Sequence, residues 1–323
     1  MVSMEPIRLC HIGAGGFSNA CVFPQLHHHP VRLVAVCDLI KEKALAAQRA
    51  YGFERAYTDF RRMLDAEQPE AVICIGGPRV HFEVGFEVLE RGLPLYIQKS
   101  PAPSAADTRT LADLAAAKGV VCHVGFNLRS AVAVQRAREI IARPDFGLVN
   151  LIVFRYGLCF GQTLRDVVLD QHCHAVDTVR YLLGEVQAVT VERGRCEGVR
   201  HYAALLRFAS GAVGCLGFTE GQQPDKEFLY FEITGQDGHF LTSHDMNLTY
   251  HRGPAGQPDE VYARGAYGYQ PMLEWYGYVA DLANFFAAVR GAEADRAPVA
   301  DTVATMALCE EIYAQLREAG APE

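Results

Sequence analysis

The sequence holds no run of lysines and arginines, no Cys-x-x-Cys pair, no apolar stretch of membrane-spanning length and no internal repeat. Each absence closes a class of function. With 30 Lys+Arg against 38 Asp+Glu the net charge is −8, which leaves no electrostatic footprint for nucleic acid. A membrane span needs about 20 consecutive apolar residues, and a secretory leader needs a basic segment followed by an apolar one. Neither is present, so the expectation is a cytoplasmic protein without a membrane partner. The 10 cysteines suggest disulfides at first sight, yet Cys10, Cys37, Cys74 and Cys122 sit inside apolar, strand-like runs. They read as buried free thiols in a reducing compartment. The consecutive His27, His28 and His29 point in different directions within a polar link, so they read as a solvated loop, and no metal is expected. At 323 residues, 50% hydrophobic and 21% charged, the chain has the length for two domains with separate cores.

What is present begins at Pro6–Ser18, PIRLCHIGAGGFS. A short apolar strand (Ile7, Leu9, Ile12) runs into Gly13-Ala14-Gly15-Gly16-Phe17-Ser18 and then into a segment that can be helical. Such a Gly-x-Gly turn lets the backbone approach a pyrophosphate, and the following helix offers unpaired N–H groups. Ser18 stands where the full fingerprint has a third glycine. Val31–Val36 is a near-continuous apolar run, as expected of a parallel strand buried on both faces, and it leads to Asp38. An acid there accepts hydrogen bonds from the adenosine ribose and repels a 2′-phosphate, which puts NAD ahead of NADP; Asp38 can also be the N-cap of a helix over Lys41–Tyr51.

Downstream the spacing predicts a helix over Asp59–Ala66, a strand over Ala71–Ile75 ending in Gly76-Gly77-Pro78, and a helix over Val80–Arg91 stopped by Gly92. Gly76 and Gly77 fall at the strand's carboxyl end, as either a plain turn or a backbone approach to the cofactor. Leu95–Ile97 is the next strand, ending in Gln98-Lys99-Ser100-Pro101. A helix from the Ser104 cap to Lys118 and a strand over Val120–Val124 follow. Strand and helix alternate throughout, so the first half is an open parallel sheet covered on both faces. The pattern then changes. After a helix over Ser130–Ala142, strands follow strands: LVNLIVFRY, VQAVTVERG, HYAALLRFA, GAVGCLGF, FLYFEITG and GHFLTS, with one helix, Asp177–Leu183, among them. That is an antiparallel sheet partly covered by helices. Arg252–Tyr269, rich in Gly, Pro and Tyr, reads as a loop over an active site or oligomer contact, and Met272–Val289 and Asp301–Arg317 close the chain as helices.

In this order the chain resembles the Gfo/Idh/MocA family, named for glucose-fructose oxidoreductase and inositol dehydrogenase. The likeness is carried by the Gly-x-Gly unit with Asp38 (VAVCD), by GGPRVH, by QKSPAPSAADT where the family has Glu-Lys-Pro, and by DQHCHAVDTVRYLLG where it has Asp-x-x-x-His-x-x-Asp. APVADTVATMALCEEIYAQL is similar to the family's C-terminal helix. The resemblance implies an α/β protein: a doubly wound Rossmann domain over residues 1–127 and a substrate-binding, oligomerising domain over 128–323, with a large open, mainly antiparallel sheet. The last helix can pack back on the first domain. It also implies an NAD(P)-dependent oxidoreductase of a sugar, cyclitol or related polyol, forming dimers or tetramers through that sheet. By the same likeness Lys99, Asp170 and His174 are catalytic. Gly13, Gly15, Gly16, Phe17, Asp38, Gly77, Pro78, His81, Gln98 and Lys99 hold the cofactor, and Asn127, Arg129 and His172 touch substrate.

Elementary chemistry agrees with those roles. Hydride transfer from a secondary alcohol needs a group to take the hydroxyl proton, and imidazole is the side chain with an ordinary pKa nearest neutrality. A neighbouring carboxylate can fix its tautomer, and an ammonium can hold the developing alkoxide. If Asp170 precedes a helix and His174 lies on its first turn, both can face one cleft. The departures are Gln98 for glutamate, which removes a carboxylate partner for Lys99, and Ser100 for proline, which moves the expected place of a cis bond to Ser100–Pro101. His172 replaces a glycine. With Asp170 and His174 it could hold a metal, but the family does not generally need one, and it reads instead as lining the substrate pocket. Two other classes stay open: a dinucleotide-bound sensor, and a hydrolase or lyase that oxidises a sugar transiently with NAD it never releases.

Overall fold

The computed structural model describes residues 5–157, 163–196, 199–220, 228–253, 258–263 and 272–322. Strands β1 (Ile7–Ile12) and β2 (Val31–Cys37), helix α1 (Lys41–Tyr51), strand β3 (Arg55–Tyr57), helix α2 (Phe60–Glu67), strand β4 (Ala71–Cys74), helix α3 (Pro78–Glu90), strand β5 (Leu95–Gln98), helix α4 (Ala105–Lys118) and strand β6 (Cys122–Gly125) follow one another. All six strands run parallel in the order β3-β2-β1-β4-β5-β6. Strand β1 thus has β2 on one side and β4 on the other, and the order reverses there, where open α/β sheets bind ligands. The sheet interior is aliphatic because apolar residues dominate these strands: Leu9, Val36, Ala71 and Ile73 are buried against Phe23, Leu26, Leu282 and Phe285. Each buried Leu, Val, Ile or Phe side chain contributes about 1.5–3 kcal/mol.

Local chemistry sets the helix ends. The Asp59 carboxylate accepts the Arg61 and Arg62 N–H groups to start α2, Ser104 caps α4, and Gly52 and Gly119 end α1 and α4 with left-handed φ of 79° and 65°. The segment after β1 is a π-helical turn, Ser18–Val22, continued by a 3-10 helix, Phe23–His28. Pro24 lacks an N–H, and the Asn19 side chain donates to the Ala14 and Gly15 carbonyls (3.1 and 2.8 Å), so the start of this segment departs from regular α geometry. His27 and His28 are exposed, as a solvated run requires. His29 is not: it is buried, its Nε2 lies 3.5 Å from Gln25 Oε1, and burial together with His28 and His27 pushes its pKa down to about 4.

The second unit opens with a 3-10 turn, Asn127–Ser130, and helix α5 (Val132–Ile141), then strand β7 (Leu151–Gly157) and a short α6 (Leu164–Asp166). A π-helical turn over Val167–Gln171 precedes α7 (Cys173–Leu183), which begins one turn earlier than the spacing predicted. Strands β8 (Val186–Arg193), β9 (His201–Phe208), β10 (Val213–Thr219), β11 (Phe228–Thr234), β12 (Phe240–His244), β13 (Asn247–His251) and β14 (Glu260–Tyr262) follow. The eight strands lie in the order β14-β13-β12-β11-β7-β10-β9-β8. All pairings are antiparallel except β7 with β10.

Strands β13 and β14 add to the six read from sequence. Strand β14 lies within Arg252–Tyr269, where a loop was expected; Glu260 is fixed there by Arg143 and by the Tyr262 hydroxyl (2.7 Å). Residues 254–257 and 264–269 of that stretch lie outside the described residues.

Helices α8 (Met272–Trp275) and α9 (Tyr278–Val289) replace the single helix expected over Met272–Val289. Gly277 separates them: its φ is +83°, and a Cβ there would stand 2.4 Å from the Asn127 carbonyl oxygen and the Ala131 nitrogen. Helix α10 (Val299–Glu318) ends the fold. By contact, residues 1–126 group with Tyr278–Val303, and residues 127–277 group with Ala304–Glu323. The nine cysteines among the described residues are all free thiols.

Candidate active site

In the first unit, the carboxyl ends of β1, β2 and β4 surround a cavity of about 680 Å³ lined by Gly13, Asp38, Leu39, Ile40, Thr58–Arg61, Gly76, Val80, Glu83 and Glu87 among others. Gly13 has φ +93°, and a Cβ on it would lie 1.9 Å from the Ile75 carbonyl oxygen, so only glycine lets β1 turn this close to the end of β4. Open space surrounds the Cβ positions of Gly15 and Gly16. The Asp38 carboxylate is pinned: Oδ2 accepts from Ala14 N–H and Oδ1 from Ile40 N–H, both at 2.8 Å. Asp38 therefore ties the glycine turn to the end of β2, and each oxygen keeps a lone pair for a further donor. Ser18 Oγ donates to the Gly13 carbonyl at 2.6 Å, which closes the turn where the fingerprint has its third glycine. Phe17 packs edge-on to Tyr278. Helix α3 starts from Gly77 with Pro78 at its first position and no side-chain cap, leaving its N-terminal N–H groups for a ligand.

A nicotinamide dinucleotide fits these residues: the cavity has an apolar rim of Leu39, Ile40 and Val80, all exposed, a cradle without Cβ atoms, and a carboxylate for ribose hydroxyls. Leu39, Thr58 and Val84 carry no motif. They share the cavity because three strand ends stop at one edge.

The lysine segment follows β5. Gln98 is buried and its Oε1 accepts the Lys99 N–H at 2.9 Å, while Lys99 itself is half-buried. The Lys99–Ser100 peptide bond is cis, where sequence reasoning put such a bond at Ser100–Pro101. His81, fully buried, connects this turn to the glycine loop. Its Nδ1–H donates to the Ser100 carbonyl (2.8 Å) and its Nε2 accepts the Gly76 N–H (2.9 Å), so both ring nitrogens are used inside the protein.

In the second unit, Asp170 lies on the π-helical turn and His174 on the first turn of α7. Asp170 Oδ2 accepts from Gln171 Nε2 at 2.9 Å, and the Tyr156 ring lies 6.4 Å from the His174 ring. His172 is buried, stacked on Phe218 (4.1 Å between centroids) with Nδ1 2.7 Å from the Tyr202 hydroxyl. Burial, and the nearby Arg200, push its pKa down to about 3, so it is neutral at physiological pH. No sequence signal marked Tyr156, Tyr202 or Phe218; they come from the buried face of three strands. Asn127 and Arg129 are buried at the start of the unit. Asn127 Nδ2 donates to the Tyr276 carbonyl at 2.8 Å, and the Arg129 fork is bidentate on Asp177 at 2.7 and 2.6 Å, with Thr305 Oγ1 donating to the same carboxylate. In this arrangement Arg129 anchors α7 by a buried ion pair.

Two family models match. One, described as the oxidoreductase family's NAD-binding Rossmann fold, covers residues 7–126, and the other, its C-terminal alpha/beta domain, covers residues 166–321. The chain belongs to the Gfo/Idh/MocA oxidoreductase family. It is an enzyme of that family, with a nicotinamide-dinucleotide-binding first domain. It is 25% identical over 333 residues to a D-apiose dehydrogenase of Paraburkholderia graminis, covering 95% of this chain and 87% of that one. Its fold is that of a dehydrogenase from Chromobacterium violaceum, with a TM-score of 0.91 at 23% identity over 98% and 97% of the two chains. A levoglucosan dehydrogenase solved with NADH and L-sorbose gives a TM-score of 0.83 at 19% identity over 98% of each. Among the described residues no helix of this family member is long and apolar enough to cross a membrane, and no three His, Cys, Asp or Glu side chains group as metal ligands.

Proposed function

We propose that the protein is an NAD-dependent dehydrogenase that oxidises a secondary alcohol of a sugar, cyclitol or related polyol. The observation that carries this reading is the Asp38 carboxylate held between Ala14 and Ile40 beside Gly13. A carboxylate so placed accepts both ribose hydroxyls of an adenosine and repels a 2′-phosphate, which favours NAD over NADP. The bound dinucleotide supplies the hydride acceptor. His174 takes the hydroxyl proton as the C–H bond breaks, so a ketone, a reduced nicotinamide and a protonated imidazole balance the step. Asp170 orients the substrate and favours the imidazolium, and the Lys99 ammonium holds the developing alkoxide. His172, kept neutral, is a hydrogen-bonding wall of the substrate pocket, and His81 sets the Ser100 turn that carries Lys99. The relatives named for D-apiose and levoglucosan support a sugar-like substrate.

Outward-facing Leu205 and Val213 of the second sheet are exposed, and Leu205 pairs with Cys215, itself paired with Val153. This apolar patch supports a homodimer or homotetramer formed through the sheet. The test of function is a panel of sugars and cyclitols assayed for NADH formation, repeated on Lys99→Ala and His174→Ala. Loss of about 10²–10⁴-fold in kcat in each variant is expected, and unchanged turnover in both would refute the assignment.

A further inference from the structure

Among the described residues lining the nucleotide cavity there are four carboxylates, Asp38, Asp59, Glu83 and Glu87, and a single guanidinium, Arg61. That guanidinium is already engaged. Its Nε donates to Glu87 Oε2 at 2.6 Å and a terminal nitrogen donates to Oε1, so the fork is bidentate on α3, and the group lies 4.7 Å over the Phe60 ring. Strand register brings this pair to the Asp38 side of the cavity. Cys37 pairs with Tyr57, and Asp38 N–H donates to the Tyr57 carbonyl (3.1 Å). The end of β2 therefore runs beside Thr58 and Asp59, and Arg61 rises from the first turn of α2 directly after them.

We propose that Glu87 is a positioning residue for cofactor choice: by holding Arg61 it withholds the one guanidinium on the cavity wall from a 2′-phosphate. A guanidinium fork recognises phosphate bidentately, and a fork clamped on a carboxylate offers neither that geometry nor its full charge. Discrimination against NADP then rests on two devices, the Asp38 carboxylate at the ribose and the Glu87 clamp on the neighbouring cation. The pair is partly exposed, with Arg61 57% and Glu87 34% accessible, so its own contribution to stability is small and its removal leaves the fold intact. This proposal rests on the nucleotide reading of the cavity.

The experiment is calorimetric titration of NAD+ and NADP+ into the wild-type chain, Glu87→Gln, and the double variant Glu87→Gln/Arg61→Gln. In Glu87→Gln, NADP+ is expected to bind about tenfold more tightly, with NAD+ within about twofold of wild type. The double variant loses that gain, because the released guanidinium is what makes the new contact. NADP+ affinity unchanged in Glu87→Gln would overturn the proposal. So would a gain that persists without Arg61, since it would then come from deleting a negative charge alone. A wild-type chain that binds neither dinucleotide would overturn the reading of the cavity and this inference with it, an outcome distinct from the other two.

Discussion

His123, on the edge strand β6, is wholly buried between two carboxylates, with Nδ1 2.6 Å from Asp295 and Nε2 3.2 Å from Asp281. Its ring stacks on Tyr96 (14° between planes), and the Tyr96 hydroxyl donates to the other Asp281 oxygen at 2.9 Å. Burial opposes the charged form, but Asp281 and Asp295 outweigh it and raise the imidazole pKa from 6.5 to about 9. A raised folded-state pKa means that the native protein holds a proton the unfolded chain gives up. The stabilisation is complete below about pH 6.5 and is lost as pH rises to about 9. At about 1.4 kcal/mol per unit, the shift corresponds to about 3 kcal/mol.

The structural consequence is local. Val124 N–H donates to the Ala297 carbonyl (2.9 Å) and His123 bridges to Pro298, so the imidazolium clamps the segment after α9 onto the edge of the parallel sheet. Urea unfolding of the wild type and of His123→Gln at intervals from pH 6 to 9 measures the effect. Wild-type stability is expected to fall by about 3 kcal/mol across the window, and the variant to start lower and lack that fall. A flat wild-type profile, or the same decline in both proteins, would show that His123 is not charged in the native state.

Other outcomes follow from the same contacts. His11 is fully buried beside Phe23, neither ring nitrogen has a hydrogen-bond partner among the described residues, and burial lowers its pKa to about 3. Stability is therefore lost as pH falls below about 6.5, and His11→Leu should gain on the wild type by about 1.4 kcal/mol per unit of acidification in chemical denaturation; equal pH profiles would contradict this. Gly13→Ala must move the turn away from Ile75, so NADH fluorescence titration should show at least about a tenfold weaker complex and denaturation a loss of about 1–3 kcal/mol, and wild-type binding would disprove the close approach. Asp177→Asn removes the carboxylate charge that the buried Arg129 guanidinium grips bidentately, with an expected loss of about 3–5 kcal/mol in urea. A loss under about 1 kcal/mol would mean that this pair does not anchor α7.

Much of the architecture was legible because its signals are local. Apolar runs gave away β1, β2 and β4, apolar spacing marked α2, the Ser104 cap marked α4, and α1 spans the predicted Lys41–Tyr51. Strands β3 and β14, of three residues each, were invisible, since so short a run has no periodicity and is defined by the neighbour it pairs with. The break at Gly277 was hidden for a related reason: a single glycine in an apolar run is tolerated in a helix unless another backbone occupies the space of its Cβ.

By itself, the sequence determined the two-part α/β plan, the glycine turn with its acid 25 residues beyond Gly13 and the run that carries Asp170, His172 and His174, because each depends on residues near one another in the chain. Tertiary structure alone decided the pairings. Arg61 finds Glu87 26 residues away, Arg129 finds Asp177 48 away, and His123 finds Asp281 158 away. Which charges meet, and whether burial leaves an imidazole neutral or charged, follows from strand order and helix packing, and no spacing rule encodes those.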